Sequence, residues 1–130
     1  MADHPNAKVF RDAYDAFGRG DLQAASAYFD PEIVWHYPGQ NLLAGDYRGV
    51  AEVMAFFRKS LQLSGGTLQT EVHDVVANDE HGVALVTASA ERDGRSFEQR
   101  SCHVVHFRDG RVSESWIMTE DLAGLNAFWS

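Results

Sequence analysis

Residues 83–119 decide the fold of this chain, and they read VALVTASAER, DG, RSFEQRSCHVVHFR, DG, RVSESWIMT. Three segments rich in strand-forming residues are separated here by Asp93-Gly94 and Asp109-Gly110. Asp and Gly tolerate the positive φ angles of a two-residue hairpin turn, so both pairs are strong hairpin signals. We therefore predict three successive antiparallel strands, at Val83–Arg92, Arg95–Arg108 and Arg111–Thr119.

The segment before these strands and the first half of the chain complete the predicted architecture. Thr67–Ala77 is also rich in strand-forming residues, which makes the second half a four-stranded meander. Apolar residues at helical spacing predict helices over residues 6–18 and 50–61. Gly18 and Gly20 follow the first helix, and Gly65-Gly66 follows the second.

Two short elements lie between these helices, and one follows the meander. Asp21 can cap a short helix that Asp30-Pro31 ends. The first strand, Ile33–Tyr37, closes at Pro38-Gly39, and we expect a loop from there to the next helix. Asp121 can cap a last short helix.

The order of elements predicts an α+β fold, in which a curved antiparallel sheet wraps around three helices of the N-terminal half. The chain has 130 residues, 45% of them hydrophobic, which suits one globular domain over residues 1–130. We find no linker, internal repeat or low-complexity segment in it.

The charge and the cysteine count exclude several classes of protein. A net charge of −8 repels phosphate backbones and anionic membranes, so we expect no nucleic acid and no membrane as partners. No apolar stretch approaches the length of about 20 residues that a membrane span needs. The start of the chain lacks signal-peptide features, and Cys102 is the single cysteine, so we expect a cytoplasmic protein.

Four segments carry a resemblance to a known family. They are YDAFGRGD (residues 14–21), IVWHYPG (33–39), GDYRG (45–49) and FRDGRV (107–112). In this order they resemble the nuclear transport factor two-like superfamily, and within it the SnoaL-like, ketosteroid isomerase-like branch. The resemblance implies a cone-shaped α+β barrel with a pocket between sheet and helices, and frequent pairing of two protomers.

The same resemblance argues against two activities of the superfamily. The positions that match the two oxyanion donors of ketosteroid isomerase are Ala13 and Cys102, and neither side chain is a strong donor. The two aspartates and the arginine of limonene epoxide hydrolase would fall near Val86, Ile117 and Ala84. We therefore expect neither steroid isomerisation nor that route of epoxide hydrolysis.

His36 and Tyr14 are the candidate catalytic residues. His36 matches the carboxylate base of the isomerase, and we expect strand alternation to send it into the pocket, opposite to Trp35. An imidazole suits general-base work near neutral pH. Tyr14 would then be the oxyanion donor. The alternatives are a hydrogen-bonded histidine without a chemical role and a core tyrosine with a satisfied hydroxyl.

We expect a mostly apolar pocket without a metal or cofactor. His103 and His106 lie three residues apart on a strand and so on opposite faces, which prevents joint chelation. We expect Arg100 to meet an anionic ligand in the pocket or to pair with Glu91. With Arg100, the predicted wall comprises Phe17, Val34, Phe57, Ala84, Val86, Cys102, Val104, Ser115, Ile117 and Thr119.

Three classes of function remain open. The chain is a small isomerase, cyclase or lyase without a metal, a non-catalytic protein that binds an apolar metabolite, or a dimerisation module with a vestigial pocket. For the face opposite the pocket, alternation predicts Leu85, His103, Val105, Trp116 and Met118. Because so much apolar surface is unusual on a soluble monomer, we expect a homodimer through this face.

Overall fold

The predicted order of elements is present in the computed structural model, which describes residues 4–130. Its helices are α1 (Pro5–Gly18), α2 (Leu22–Ser26), α3 (Gly49–Leu63) and α4 (Leu122–Phe128). Its strands are β1 (Phe29–Tyr37), β2 (Gly45–Arg48), β3 (Gln69–Ala77), β4 (His81–Arg92), β5 (Arg95–Arg108) and β6 (Arg111–Thr119). Residues 1–3, which belong to the start interpreted as lacking a signal peptide, lie outside the described residues.

Side-chain caps fix where three of the helices begin, and at α1 the cap is His4, whose Nδ1 accepts a hydrogen bond from the Asn6 amide at 3.1 Å. Asp21 accepts a hydrogen bond from the Ala24 amide at 3.0 Å and so starts α2. Asp121 accepts one from the Gly124 amide at 2.9 Å at the start of α4. Pro5 opens α1, where its missing N–H leaves no helical hydrogen bond unmade. Each cap satisfies a backbone donor that has no partner inside the helix.

The two Asp-Gly pairs form the predicted hairpin turns. The φ angles are 51° and 74° at Asp93 and Gly94, and 52° and 77° at Asp109 and Gly110. Positive φ at both central residues is the geometry of a primed two-residue turn, whose twist matches that of the flanking strands. The hairpin prediction is therefore confirmed at both sites.

The six strands of residues 4–130 form one curved, open sheet in the order β2-β1-β6-β5-β4-β3. The meander β3 to β6 is antiparallel as predicted, whereas β1 joins β6 in parallel. The predicted loop after Gly39 was wrong in one part, since residues 45–48 pair with β1 as the edge strand β2. The α+β prediction is confirmed.

One bulge changes which side chains share a face. Between β5 and β6, Phe107 pairs with Val112, but His106 pairs with Glu114, so Ser113 is an extra residue. A bulge shifts the alternation by one residue for everything beyond it. Below, the inner face is the sheet face toward α1 and α3, and the outer face is the opposite one.

The helices cover the inner face and leave the outer face open. Helix α1 packs on β3 and β4, and α3 packs on β1. The buried core between them includes Phe10, Ile33, Val53, Val105 and Trp129, each 2% exposed or less. The site described next lies in this layer.

Candidate functional site

A cavity of about 130 Å³ lies between the inner face of the sheet and the helices. Ten aromatic side chains contribute to its wall: Phe10, Tyr14, Phe17, Phe29, Trp35, Tyr37, Phe56, Phe57, Phe97 and Trp129. Many of these rings contact one another in tilted pairs, and others meet edge to face, as Trp35 and Phe57 do with centroids 5.0 Å apart. The wall is therefore apolar and well packed.

A chain of three polar side chains crosses the inner face beside the cavity. The Tyr14 hydroxyl lies 2.5 Å from Nδ1 of His103. Nε2 of His103 lies 2.6 Å from the Ser115 hydroxyl. His103 is 2% exposed and Ser115 is 0% exposed. Helix α1, strand β5 and strand β6 thus each supply one member, and Tyr14 and His103 also line the cavity.

Burial keeps this chain uncharged. Loss of hydration lowers the pKa of His103 to about 3, because no carboxylate in the described residues pairs with its ring. Burial also raises the pKa of Tyr14 above its ordinary value of 10.0. At neutral pH His103 is therefore a neutral imidazole, with one nitrogen that donates and one that accepts.

Two indole groups on the wall lack a hydrogen-bond partner. Within residues 4–130, the buried side-chain polar atoms without one are Nε1 of Trp35 and Nε1 of Trp129. Burial raises the pKa of Tyr37 to about 12, and Trp129 opposes that rise through its contact with the Tyr37 hydroxyl. The ring centroid of Trp35 lies 5.0 Å from that of His103.

The prediction that His36 lies in the pocket is wrong. Trp35 occupies the wall, and His36 points to the outer face, where its ring stacks on Trp116 with centroids 5.4 Å apart. Nδ1 of His36 lies 2.6 Å from Asp46, and Nε2 lies 2.7 Å from Glu114. Successive side chains of β1 do alternate between the two faces as predicted. The larger side chains, Ile33 and Trp35, are the ones that lie buried on the inner face.

Two carboxylates determine the charge of His36. Partial burial lowers its pKa, but hydrogen bonds and charge from Glu114 and Asp46 outweigh burial, so the net pKa lies above 6.5. A histidine held between two carboxylates favours its protonated form. This arrangement gives His36 an ion-pairing partner on each ring nitrogen, and neither nitrogen faces the cavity.

The other predicted wall residues divide into three groups. Phe17, Phe57, Val86 and Ile117 line the cavity together with Tyr14. Ala84, Ser115 and Thr119 face inward but lie behind the wall, where Thr119 bonds to Gln99 and Ser115 to His103. The predicted inward placement is wrong for four residues, which lie on the outer face. Each is paired there with a residue of a neighbouring strand: Val34 with Arg48, Arg100 with Thr87, Cys102 with Leu85, and Val104 with Trp116.

Arg100 and Cys102 show the consequence of this register most clearly. Arg100 pairs with Glu120, with Nε 3.2 Å from Oε2, instead of with an anionic ligand or Glu91. Cys102 is exposed. A hairpin without a bulge at Asp109-Gly110 would set Cys102 opposite Ile117. The extra residue Ser113 sets His103 there instead.

His103, Val105 and Trp35 are buried on the inner face, although the sequence pattern predicts all three for the outer face. The signal for His103 was present, because the two-residue turn at Asp93-Gly94 starts a ladder without a bulge. That ladder pairs Arg92 with Arg95 and, counted outward, Ala84 with His103. The inward placement of Ala84 therefore required His103 beside it. No hairpin indicated the phase of β1, which pairs in parallel with β6.

The predicted outer face is right in part. Leu85 is 45% exposed there and Met118 is 57% exposed. Trp116 contacts His106, with ring centroids 4.7 Å apart, and His106 contacts His81 at 4.9 Å. The outward placement is wrong for His103 and Val105, which are buried on the inner face.

Neither a metal-binding cluster nor a membrane-spanning helix occurs in residues 4–130. Over residues 4–130, no three His, Cys, Asp or Glu side chains lie close enough together to hold a metal ion. In the same part of the chain, no helix has the length and apolar character to cross a membrane.

Comparison with known proteins gives consistent matches. The family model described as a SnoaL-like domain matches residues 10–115. The uncharacterized protein Rv0034 of Mycobacterium tuberculosis is 30% identical over 131 residues, with 100% of each chain covered. Bal32a, from a soil-derived mobile gene cassette, is 31% identical, with a TM-score of 0.93 and 97% of each chain covered.

A more distant solved structure shares the fold. TerC, co-crystallized with polyporic acid, is 19% identical with a TM-score of 0.85. The alignment covers 96% of this chain and 98% of TerC.

Proposed function

The chain belongs to the SnoaL-like domain family, and we propose that it binds or transforms an apolar small molecule in the cavity of the inner face. The observation that carries this proposal is the wall of ten aromatic side chains around the cavity. Concave apolar sites with few polar groups are typical of small-molecule binding. The fold neighbour TerC, co-crystallized with polyporic acid, supports an organic ligand for this fold.

The size of the cavity sets the size of the ligand. An engineered apolar cavity of about 150 Å³ binds benzene. The present cavity of about 130 Å³ therefore accepts a single six-membered ring without rearrangement. A larger ligand requires wall side chains such as Phe17 and Phe57 to move apart.

The charges around the cavity favour binding over acid–base catalysis. Protonation of His103 at pH 7 would cost about 5 kcal/mol, because its pKa is about 3 and one pKa unit is worth 1.36 kcal/mol. The raised pKa of Tyr14 opposes ionisation in the same way. His36 cannot serve a ligand in this cavity from the outer face. Of the two candidate catalytic residues, Tyr14 is thus the one that can touch the ligand. The alternative to simple binding is isomerase, cyclase or lyase chemistry that involves Tyr14.

Toluene is a suitable first probe, since it is a single apolar ring. At ten times its Kd, we expect toluene to raise Tm by about 5 °C, because that excess adds about 1.4 kcal/mol. Ala88→Leu should reduce this shift, since Ala88 lines the cavity. Ala55→Leu, the same change on the exposed face of α3, is the matched control. If neither toluene nor other single rings bind, the cavity is a packing defect and the dimerisation module stands.

We also propose that two copies of the chain pair through the outer face. The exposed Leu85 and Met118 lie beside Cys102 in the sheet, and a further exposed side chain, Val76, lies on β3. Closed two-fold pairs are the commonest way to cover such a surface. A cytoplasmic, reducing location stays a prediction from the single cysteine.

A further inference from the structure

The hydrogen-bond chain beside the cavity has a preferred direction. The Ser115 hydroxyl is buried, and Nε2 of His103 is its one hydrogen-bond partner within residues 4–130. If Nε2 carried the proton, the Ser115 hydroxyl hydrogen would have no acceptor. The opposite direction would satisfy Tyr14 and leave the Ser115 donor unmatched at a site that is 0% exposed, whereas Tyr14 lines the cavity, so Ser115 donates and Nε2 accepts.

The direction of the Ser115–His103 hydrogen bond fixes the direction of the next one, between His103 and Tyr14. A neutral histidine that accepts at Nε2 carries its proton at Nδ1. Nδ1 then donates to the Tyr14 oxygen, 2.5 Å away. The Tyr14 hydroxyl hydrogen is left without a protein acceptor, and Tyr14 is part of the cavity wall. The chain therefore ends in a donor at the cavity.

Trp35 adds a second donor to the same region. Its Nε1 is buried without a partner, and Trp35 is also a wall residue. The rings of Trp35 and Tyr14 both contact the His103 ring, with centroids 5.0 Å and 5.5 Å from it. Two donors without a protein acceptor thus belong to rings that contact one imidazole.

We infer that the ligand of the cavity carries an uncharged acceptor oxygen, such as a ketone or ether oxygen, which Tyr14 binds as a donor while Ser115 and His103 hold the direction of the chain. This inference rests on the proposed function. Ser115 and His103 act as positioning residues, and Tyr14 and Trp35 are the groups that touch the ligand.

A charged acceptor does not suit the site. None of the wall residues is a lysine or an arginine, and His103 stays neutral. A carboxylate buried here would lose its hydration without gaining a counter-charge. A hydrocarbon would fit the apolar wall but would leave both donors unmatched. A neutral ring ketone carries no charge that needs a counter-ion, and its oxygen can accept a hydrogen bond from the donors of the wall.

The tautomer of His103 can be observed directly. We expect long-range proton–nitrogen NMR spectra of the unliganded protein at pH 7 to show a protonated Nδ1 and an unprotonated Nε2. Ser115→Ala should abolish this preference, because it removes the donor that Nε2 accepts from. Ser113→Ala is the matched control, since the Ser113 hydroxyl bonds to the His106 carbonyl and not to the His103 ring. A wild-type spectrum with the proton on Nε2 would overturn the inference.

A pair of isosteric probes tests the ligand class. Acetophenone and α-methylstyrene have the same shape, but only acetophenone has an acceptor oxygen. We expect acetophenone to bind about 3- to 10-fold more tightly, the range of one neutral hydrogen bond. Tyr14→Phe should bring the ratio close to one, and Ser115→Ala should lower it, while Ser113→Ala leaves it unchanged.

The outcomes separate the inference from the proposed function. If the wild type binds acetophenone and α-methylstyrene equally well, the inference that the ligand carries an acceptor oxygen is overturned, and the cavity remains a purely apolar binding site. Failure of both probes and of toluene to bind would overturn the proposed function itself. Benzoate is the third arm, and binding of benzoate as tight as that of acetophenone would show that the site takes charged acceptors, against the inference.

Discussion

The two faces of the sheet hold one histidine each in opposite states. His103 on the inner face has neutral partners, Tyr14 and Ser115, and burial keeps it uncharged. His36 on the outer face has two carboxylate partners, which favour its charged form. The same residue type is a wall and positioning group on one side and an ion-pairing group on the other. The face of the sheet on which each histidine lies, more than its residue type, therefore determines its chemical role.

The largest expected effect is on the free energy of unfolding, when the imidazole of His103 or of His36 is removed. His103→Ala should lower the free energy of unfolding at pH 7 by about 3 kcal/mol, because it leaves a cavity and two buried hydroxyls without partners. His36→Ala should cost less than about 1 kcal/mol, as is typical of partly exposed ion pairs. Urea denaturation of the two variants measures the difference. Equal losses would contradict the assignment of the faces.

The next effect concerns pH, and the two histidines should oppose each other. An unfolded histidine binds a proton near pH 6.5, whereas folded His103 does so near pH 3. Between these values the unfolded state holds more protons, so His103 lowers stability as pH falls. From pH 7 to pH 5 its contribution amounts to at most about 2 kcal/mol.

The contribution of His36 has the other sign. Its folded pKa lies above 6.5, so its stabilisation is fully present below pH 6.5 and is lost as pH rises through the folded pKa. Proton NMR titration should therefore give His36 a pKa above 6.5 and show no titration of His103 above pH 5. His103→Gln should reduce the loss of stability from pH 7 to pH 5. An unchanged loss would mean that folded His103 titrates normally.

Much of this architecture could be predicted from the sequence, because turns and helix ends are local. Asp93-Gly94, Asp109-Gly110, Asp21 and Asp121 each act within a few residues. The wall of the pocket could be predicted only in part. Its composition depends on strand phase, and a single extra residue at Ser113 reverses that phase.

Strand β5 was the hardest to assign from sequence. Both of its phases carry apolar and histidine side chains: Cys102, Val104 and His106 in one, His103, Val105 and Phe107 in the other. Hydrophobic alternation therefore did not distinguish them. The parallel pairing of β1 with β6 is long-range, and no turn between them indicates its register.

The third effect tests what covers the outer face. If two copies pair there, Met118→Glu should raise the dimer dissociation constant at least about tenfold, because it buries an unpaired charge. Leu122→Glu at the start of α4 is the control, since Leu122 is also exposed but lies outside the sheet. Sedimentation at micromolar concentration measures both. A wild-type chain that sediments as a single protomer would end the dimer proposal.

The smallest expected effect is at Cys102, and it tests the register most sharply. Ser101 lines the cavity, whereas its neighbour Cys102 lies on the outer face beside Leu85 and Met118. Cys102→Leu should therefore change the toluene Kd by less than about twofold. Ser101→Leu, the same new side chain one residue earlier, should fill the cavity and weaken binding at least about tenfold. Adjacent strand residues point to opposite faces, so only the new side chain at residue 101 enters the cavity. If Cys102→Leu is the one that weakens binding, β5 has the phase that a hairpin without the Ser113 bulge would give it.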